Sequence, residues 1–406
     1  MSGAVRLVSV GAPIGSGDHP YAATIARALA GAGIAVGAHV VVDDDDAALE
    51  HALGVDGVTA IVARVGGSAG DSVRRVLARI TGARLVLSER MRALLDAHYA
   101  RLDRPVPRSA ERLALLPQGA VVADGDAPVW MLESGASAWI VFLRGRVDAA
   151  VDRALVPLAA ERLGARGAVA VRTFKTAGAT AEEIEDRLVD RLGARDLTLA
   201  TVPGDGEVWV RVRARAATAT DATKRLDEVE SVVTDLLGDD CYGRDADSLE
   251  AVVGRMLTAR GLTLAVAESC SGGLVAHRLA AIAGSSSSLE LGVTIDSDRA
   301  KGAWLGVDAA ILRTHGAVSA PCAEAMARAI CARTGAACGL SITEVAGPDG
   351  GTPEKPVGTT FIGLAVRGEV TVRRFRFDGD PPSVQWQSSV MALDMLRRRL
   401  QVEAPP

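Results

Sequence analysis

Ala267-Glu268-Ser269-Cys270-Ser271-Gly272-Gly273 sets two hydroxyls, a thiol and a carboxylate beside paired glycines, between an apolar run and a helical pattern starting near Gly272. The glycines allow close backbone approach, and the free N–H groups of a first helical turn favour an anion. A serine at such a turn can be a nucleophile with those N–H groups as oxyanion donors, each worth roughly 10²–10³ in rate. The same serines could instead cap the helix, and spacing alone leaves both readings open. A nucleophilic serine needs a partner that takes its proton. His277 and His315 lie near in sequence without a supporting pattern, so a surface or packing role suits them. Lys301 follows Asp296-Ser297-Asp298-Arg299 after an apolar strand, and a lysine desolvated in a cleft can act as a base. A second glycine-rich stretch, residues 346–358, holds four glycines and three prolines between two strands, which makes a stiff, shaped loop able to line a site.

The elements that must position these groups are legible as patterns. The first 165 residues alternate strand signals (5–11, 34–42, 59–65, 138–143) with helical ones (21–32, 71–81, 88–102, 147–163), which predicts a mostly parallel sheet covered on both faces. Residues 166–243 read strand–helix–strand–strand–helix, a small α+β module of the split βαβ kind, with capping-box spacing at Thr180-Ala181-Glu182-Glu183. Polar, turn-rich residues 241–248 mark the next boundary. Residues 244–406 read as a third, α/β domain, with helices at 248–260 and 383–400 and strands at 263–267, 291–295, 338–344, 358–366 and 369–377.

Composition narrows the function. Of 406 residues, 49% are hydrophobic and 3% aromatic, so the cores are built from Ala, Val, Leu and Ile. A net charge of −5 gives no electrostatic footprint for nucleic acid. Five cysteines (Cys241, Cys270, Cys322, Cys331, Cys338) without CxxC spacing speak against a zinc site or disulfide framework and fit a reducing compartment. No apolar run reaches membrane-spanning length and no signal peptide opens the chain, so a cytoplasmic protein with no membrane partner is expected. The acidic run Asp43–Asp46 reads as a solvated loop rather than a metal site.

The motifs also resemble a known family. Residues 267–273 are similar to the AESCTGG motif of the CinA (competence/damage-inducible) family. Ala283-Gly284-Ser285-Ser286, His315-Gly316-Ala317-Val318-Ser319 and residues 346–358 (AGPGGGTPEKPVG in the family) match as well. The resemblance covers nearly the whole chain. It implies an N-terminal molybdopterin-binding-like domain, a small middle domain and a C-terminal deamidase-type domain that hydrolyses the carboxamide of nicotinamide mononucleotide or a related pyridine nucleotide. It implies Ser269 as nucleophile and Lys301 as its assistant. The implied substrate-binding set is Glu268, Cys270, Ser271, Gly272, Gly273, Asp296, Glu344, Gly347, Gly350, Gly351 and Thr352. It further implies a small-molecule nucleotide partner, a homodimer, and neither cofactor nor metal.

Departures from the family pattern set further expectations. The family's YSNEAK reads Asp296-Ser297-Asp298-Arg299-Ala300-Lys301, and TGIAGP reads Thr343-Glu344-Val345-Ala346-Gly347-Pro348. Phe377-Asp378-Gly379-Asp380 is followed by Pro381 where the family has arginine. The added carboxylates Asp296 and Glu344 would repel an anionic substrate and favour a cationic or hydroxyl-bearing one, which raises two alternatives: a modified nicotinamide nucleotide as substrate, or a non-catalytic nucleotide-binding protein. In the N-terminal domain, residues 62–71 keep one of the two aspartates of TGGLGPTxDD, Asp71, and residues 143–150 lose the prolines and glutamate of LPGPPSEM. Metal-assisted ADP-ribose hydrolysis is therefore expected to be lost there, the alternative being a site rebuilt from Asp18, Asp71 and Asp148.

Overall fold

The computed structural model describes residues 4–11, 22–32, 34–64, 69–101, 103–124, 128–142, 151–163, 168–192 and 197–402. The chain divides into two compact bodies: residues 1–171 with 214–226, and residues 172–213 with 227–406. Among the described residues no helix is long and apolar enough to cross a membrane, and no two of the five cysteines form a disulfide.

In the first body the strands are β1 (Ala4–Val10), β2 (Ala35–Val42), β3 (Thr59–Arg64), β6 (Val121–Val122), β7 (Val129–Ser134) and β8 (Ser137–Phe142), joined in the order β2-β1-β3-β8-β7-β6. A two-stranded ribbon, β4 (Leu85–Leu87) with β5 (Leu115–Pro117), stands apart. Strands β2, β1, β3 and β8 are parallel, as expected, and β7 and β6 turn back antiparallel. Helices α1 (Ala22–Gly31), α2 (Asp46–Leu53), α3 (Ala69–Thr81), α4 (Glu89–Arg101) and α5 (Val156–Leu163) connect them. Alternation along β1 sends Val5 and Leu7 into one core and Val8 and Val10 into the other, so both sheet faces are dry.

Two expectations change here. The acidic run is not simply a loop: Asp45 caps α2, its carboxylate accepting from the N–H groups of Ala47 and Ala48 at 3.0 Å each, and Asp46 pairs with Arg75 and Arg79. The helix expected over 147–163 begins, within the described residues, as a wide turn at Val151–Leu155 before α5. Asp71 lies in α3, whereas Asp18 and Asp148 fall outside the described residues.

Two more sheets lie mainly in the second body, residues 172–213 with 227–406. The order strand–helix–strand–strand–helix holds: β9 (Ala168–Ala177), α6 (Ala181–Leu192), β10 (Leu197–Pro203), β11 (Glu207–Ala216) and α7 (Ala219–Leu237). Thr180 and Glu183 make the reciprocal capping box at the start of α6, at 3.2 and 2.9 Å. The segment expected to be a boundary turn includes a strand instead, β12 (Cys241–Arg244), which gives the sheet order β10-β11-β9-β12. Tyr242 is the reason: it is buried, and its hydroxyl donates to Glu207 on β11.

The remaining elements are α8 (Leu249–Arg260), β13 (Leu264–Glu268), α9 (Leu274–Ala280), β14 (Leu289–Thr294), α10 (Ala309–His315), α11 (Ala320–Thr334), β15 (Cys338–Glu344), β16 (Thr359–Val366), β17 (Glu369–Arg376) and α12 (Pro381–Val402). Their sheet runs β14-β13-β15-β16-β17, with β13 parallel to both neighbours and the last two strands antiparallel. All five residues of β13 are buried. Leu264 and Val266 face the layer holding α8 and α12, and Ala265 and Ala267 face α11. A central strand covered on both sides puts ligand chemistry at its carboxyl end, where the connections leave the sheet. At the far end of α12, Arg397 is fully buried on Asp394 at 2.6 Å, and Arg398 bridges Asp394 and Asp240 at 2.6 and 2.7 Å.

Candidate active site

The carboxyl ends of β13, β14 and β15 converge. Ser269 N–H continues the ladder to the carbonyl of Ile342 at 3.1 Å, and Ile295 N–H bonds the carbonyl of Glu268 at 2.7 Å. The chain then turns sharply through Gly272 (φ 69°) and Gly273 (φ 95°), both left-handed, which only glycine adopts without strain. Leu274 starts α9, two residues after the expected position.

The turn places Ser269 against the loop that follows β14. Lys301 Nζ donates to Ser269 Oγ at 3.0 Å and to the carbonyl of Asp296 at 2.5 Å. Ser269 Oγ donates in turn to Asp296 Oδ1 at 3.1 Å. Lys301 is 1% exposed, whereas Asp296 is exposed, so the mouth of the site lies on the aspartate side. Ser297 sets the lysine's position: its Oγ caps the short turn Asp298–Ala300, and its carbonyl accepts from Lys301 N–H at 2.9 Å. His277 and His315 are both exposed and take no part.

Glu268 is fully buried, and its carboxylate accepts from Val275 N–H at 3.2 Å and Ala276 N–H at 3.0 Å. Those first-turn amides are therefore filled by the chain's own carboxylate, and the anion cradle expected there is not open. Glu344 is 3% exposed, and neither of its carboxyl oxygens has a hydrogen-bond partner among the described residues. Ser271 N–H faces it, short of hydrogen-bond geometry. Burial first, then the negative charge of Glu268, pushes the Glu344 carboxyl up to about 8 against the pull of Ser271 N–H and Lys301. Cys270 lies with its Sγ 3.9 Å from Asp296 Oδ1. Burial, then Glu344 and Asp296, raises its thiol above the ordinary value, which disfavours the thiolate form.

The structure thus brings together Glu268, Ser269, Cys270, Ser271, Asp296, Lys301 and Glu344. The second glycine-rich loop is only partly joined to them. Its first residue, Ala346, reaches Cys270 through its backbone, and a Cβ added at Gly347 would lie 2.7 Å from a Val357 methyl. Gly350, Gly351 and Thr352 are exposed on a tip closed by Thr352 N–H to the Lys355 carbonyl at 2.9 Å. Among the described residues no hydrogen bond ties them to Ser269 or Lys301. Sequence reading missed Gln385 on α12, whose Nε2 donates to the Cys270 carbonyl at 2.7 Å; no local signal marks it. Among the described residues no group of three or more His, Cys, Asp or Glu side chains is arranged to hold a metal ion.

Comparison with known proteins agrees with the motifs. Residues 246–400 match the CinA C-terminal domain, and residues 171–243 match the KH domain of damage-inducible protein CinA. A competence-damage inducible protein of Moorella thermoacetica is 37% identical over 393 residues, covering 94% of each chain. A CinA-like protein of Gemmatimonas aurantiaca is 34% identical over 396 residues, covering 94% of this chain and 92% of its own. A solved CinA superfamily protein from Klebsiella pneumoniae is 38% identical with a TM-score of 0.37, covering 38% of this chain and 96% of that one. Full-length relatives at this identity and coverage, together with the serine turn and its lysine, establish that the chain belongs to the CinA family.

Proposed function

We propose that the C-terminal domain is a serine amidohydrolase that acts on the carboxamide of nicotinamide mononucleotide or a related pyridine nucleotide. The observation that carries this reading is Ser269 Oγ held between Lys301 Nζ at 3.0 Å and Asp296 Oδ1 at 3.1 Å. The serine hydroxyl already points its proton at a carboxylate, and a buried ammonium faces the oxygen that becomes nucleophilic. Attack on the amide carbon forms the acyl–serine bond and sends the serine proton to Asp296. Return of a proton to the nitrogen releases ammonia. Water then cleaves the ester to give the acid and free Ser269. The exposed Asp296 stands where the family has tyrosine and takes the acceptor position directly.

Two rival readings remain distinct in outcome. The exposed Asp296 favours a substrate without negative charge at its reacting end, which extends the candidates to modified nicotinamide nucleotides. The test is ammonia release across a panel of pyridine nucleotides, with products identified by mass. Activity on any of them that Ser269→Ala abolishes supports the proposal, and turnover unchanged in Ser269→Ala overturns it. Ligand-induced thermal stabilisation without turnover across the panel would mark a binding protein instead.

A further inference from the structure

The amino half of α12 touches different partners on its two faces. Ser383, Gln387 and Val390 recur at i, i+4 and i+7 and share one face. Gln385, two residues after Ser383, projects about 200° away from it, and Ser389 lies one turn on from Gln385. On that second face Gln385 Nε2 donates to the Cys270 carbonyl at 2.7 Å, and Ser389 Oγ accepts from Arg278 Nη1 on α9 at 2.8 Å. Against the first face sits the β10–β11 turn of the middle module, Pro203-Gly204-Asp205-Gly206. Asp205 Oδ2 accepts from Ser383 Oγ at 3.2 Å, and a Cβ added at Gly206 would lie 3.4 Å from Gln387 Cα and from Val390 Cβ.

The turn is itself braced. Gly204 N–H donates to the Glu207 carbonyl at 2.8 Å, and Gly178 N–H, just past β9, donates to the Gly206 carbonyl at 3.2 Å. Gly206 takes φ 78°, a left-handed value that suits glycine. The helix start needs such support, because its first turn lacks intrahelical partners and helix ends fray. A serine held about 1 Å out of place can lose on the order of 10² in rate, so what steadies this helix start bears on the chemistry.

We propose that the β10–β11 turn is a positioning element of the Ser269 site. Asp205 and Gly206 fix the first turns of α12, and Gln385 on the opposite face passes that constraint to the Cys270 carbonyl. Asp205 is a positioning residue: it acts through Ser383 and Gln385, not on a substrate. Its effect on rate rests on Ser269 as nucleophile, whereas its effect on the order of the 269–273 turn does not. The middle module thereby belongs to the working parts of the C-terminal domain.

Full-length wild type, Asp205→Ala, Asp205→Asn, Gln385→Leu and the double variant Asp205→Ala with Gln385→Leu are compared by two measurements. The first is the rate at which a fluorophosphonate labels Ser269: Ser269 Oγ bonds phosphorus, fluoride leaves and the serine proton goes to Asp296. The adduct is located by mass, with Ser269→Ala as control. The second is amide hydrogen exchange over residues 269–273, with β16 as reference. Asp205→Ala should label on the order of 10-fold more slowly. Its exchange should quicken over 269–273 and stay unchanged in β16. Asp205→Asn keeps an acceptor for Ser383 and should restore both. The double variant should label no more slowly than Gln385→Leu alone, because the two residues act in series. Wild-type exchange over 269–273 in Asp205→Ala would overturn the proposal. Exchange that quickens equally in β16 marks general loosening and overturns it too, as do losses in the double variant that add fully. If folded wild type takes no label at Ser269, the serine reading falls, and the exchange comparison still decides this proposal.

Discussion

Gln385 Nε2 on α12 donates to the carbonyl of Cys270 at 2.7 Å, across 115 residues of chain. The last helix thereby holds the turn that carries Ser269. Gln385→Leu keeps the bulk and removes the donor. Loss of the bond should cost about 1 kcal/mol of stability in urea unfolding. Displacement of Ser269 should lower kcat by roughly 10-fold or more with KM little changed, because orientation rather than binding is lost.

Lys301→Met should leave the fold intact and reduce amide turnover by about 10²–10³, the range for loss of a donor aimed at the reacting oxygen. The buried methionine fills the slot but gives Ser269 Oγ and the Asp296 carbonyl no donor. Lys301→Arg should not rescue, since a planar fork does not fit a site that is 1% exposed. Circular dichroism with ammonia release checks both variants.

Two glycines should respond with opposite signs. Gly273 has φ 95°, and an added Cβ would lie 3.3 Å from Thr294 Oγ1, so Gly273→Ala should destabilise by about 1–2 kcal/mol and disturb the turn. Gly254 lies inside α8 with nothing within 4 Å of an added Cβ. Gly254→Ala should stabilise by about 0.5–1 kcal/mol. Denaturant midpoints of the two variants make the comparison.

Acid should weaken the end of α12. Burial raises the Asp240 carboxyl, but hydrogen bonds from Arg398 and Arg187 outweigh it and hold the group below its usual range. A depressed folded value means that this contribution is complete above the ordinary carboxylate pKa and is lost as pH falls through the folded one. Tm measured from neutral pH down to about pH 3 should therefore fall less steeply in Asp240→Asn than in wild type. Asp394→Asn should cost roughly 3–5 kcal/mol at neutral pH, because Arg397 is fully buried and loses its counter-charge.

Legibility followed the kind of physics involved. Strand β13 could be read within a residue of its ends because four buried apolar residues, Leu264 to Ala267, lead into Glu268 and the glycine turn. The capping box at Thr180 was legible because both of its bonds lie within four residues. Helix α11 was not seen: three of the five residues of its buried face, Cys322, Ala323 and Ala327, are small, and only Met326 and Ile330 are large apolar side chains, so the amphipathic stripe is faint. Its ends were nonetheless written in Ser319 and Gly335, which cap it. The pairing of Ser269 with Lys301 spans 32 residues and came from family resemblance, not spacing. Glu268 looked like a substrate contact because it belongs to the motif. Its bonds to Val275 and Ala276 become visible only once β13 and α9 are set side by side.

Those two bonds satisfy the start of α9 from within its own motif. The carboxylate of Glu268 plays toward α9 the part that a bound phosphate plays at other helix starts, so the positive end of the helix is neutralised before any ligand arrives. A phosphate on an incoming molecule finds that berth occupied. The turn is preorganised: its ordering is completed when the chain folds, and none of a substrate's binding energy is consumed in assembling it.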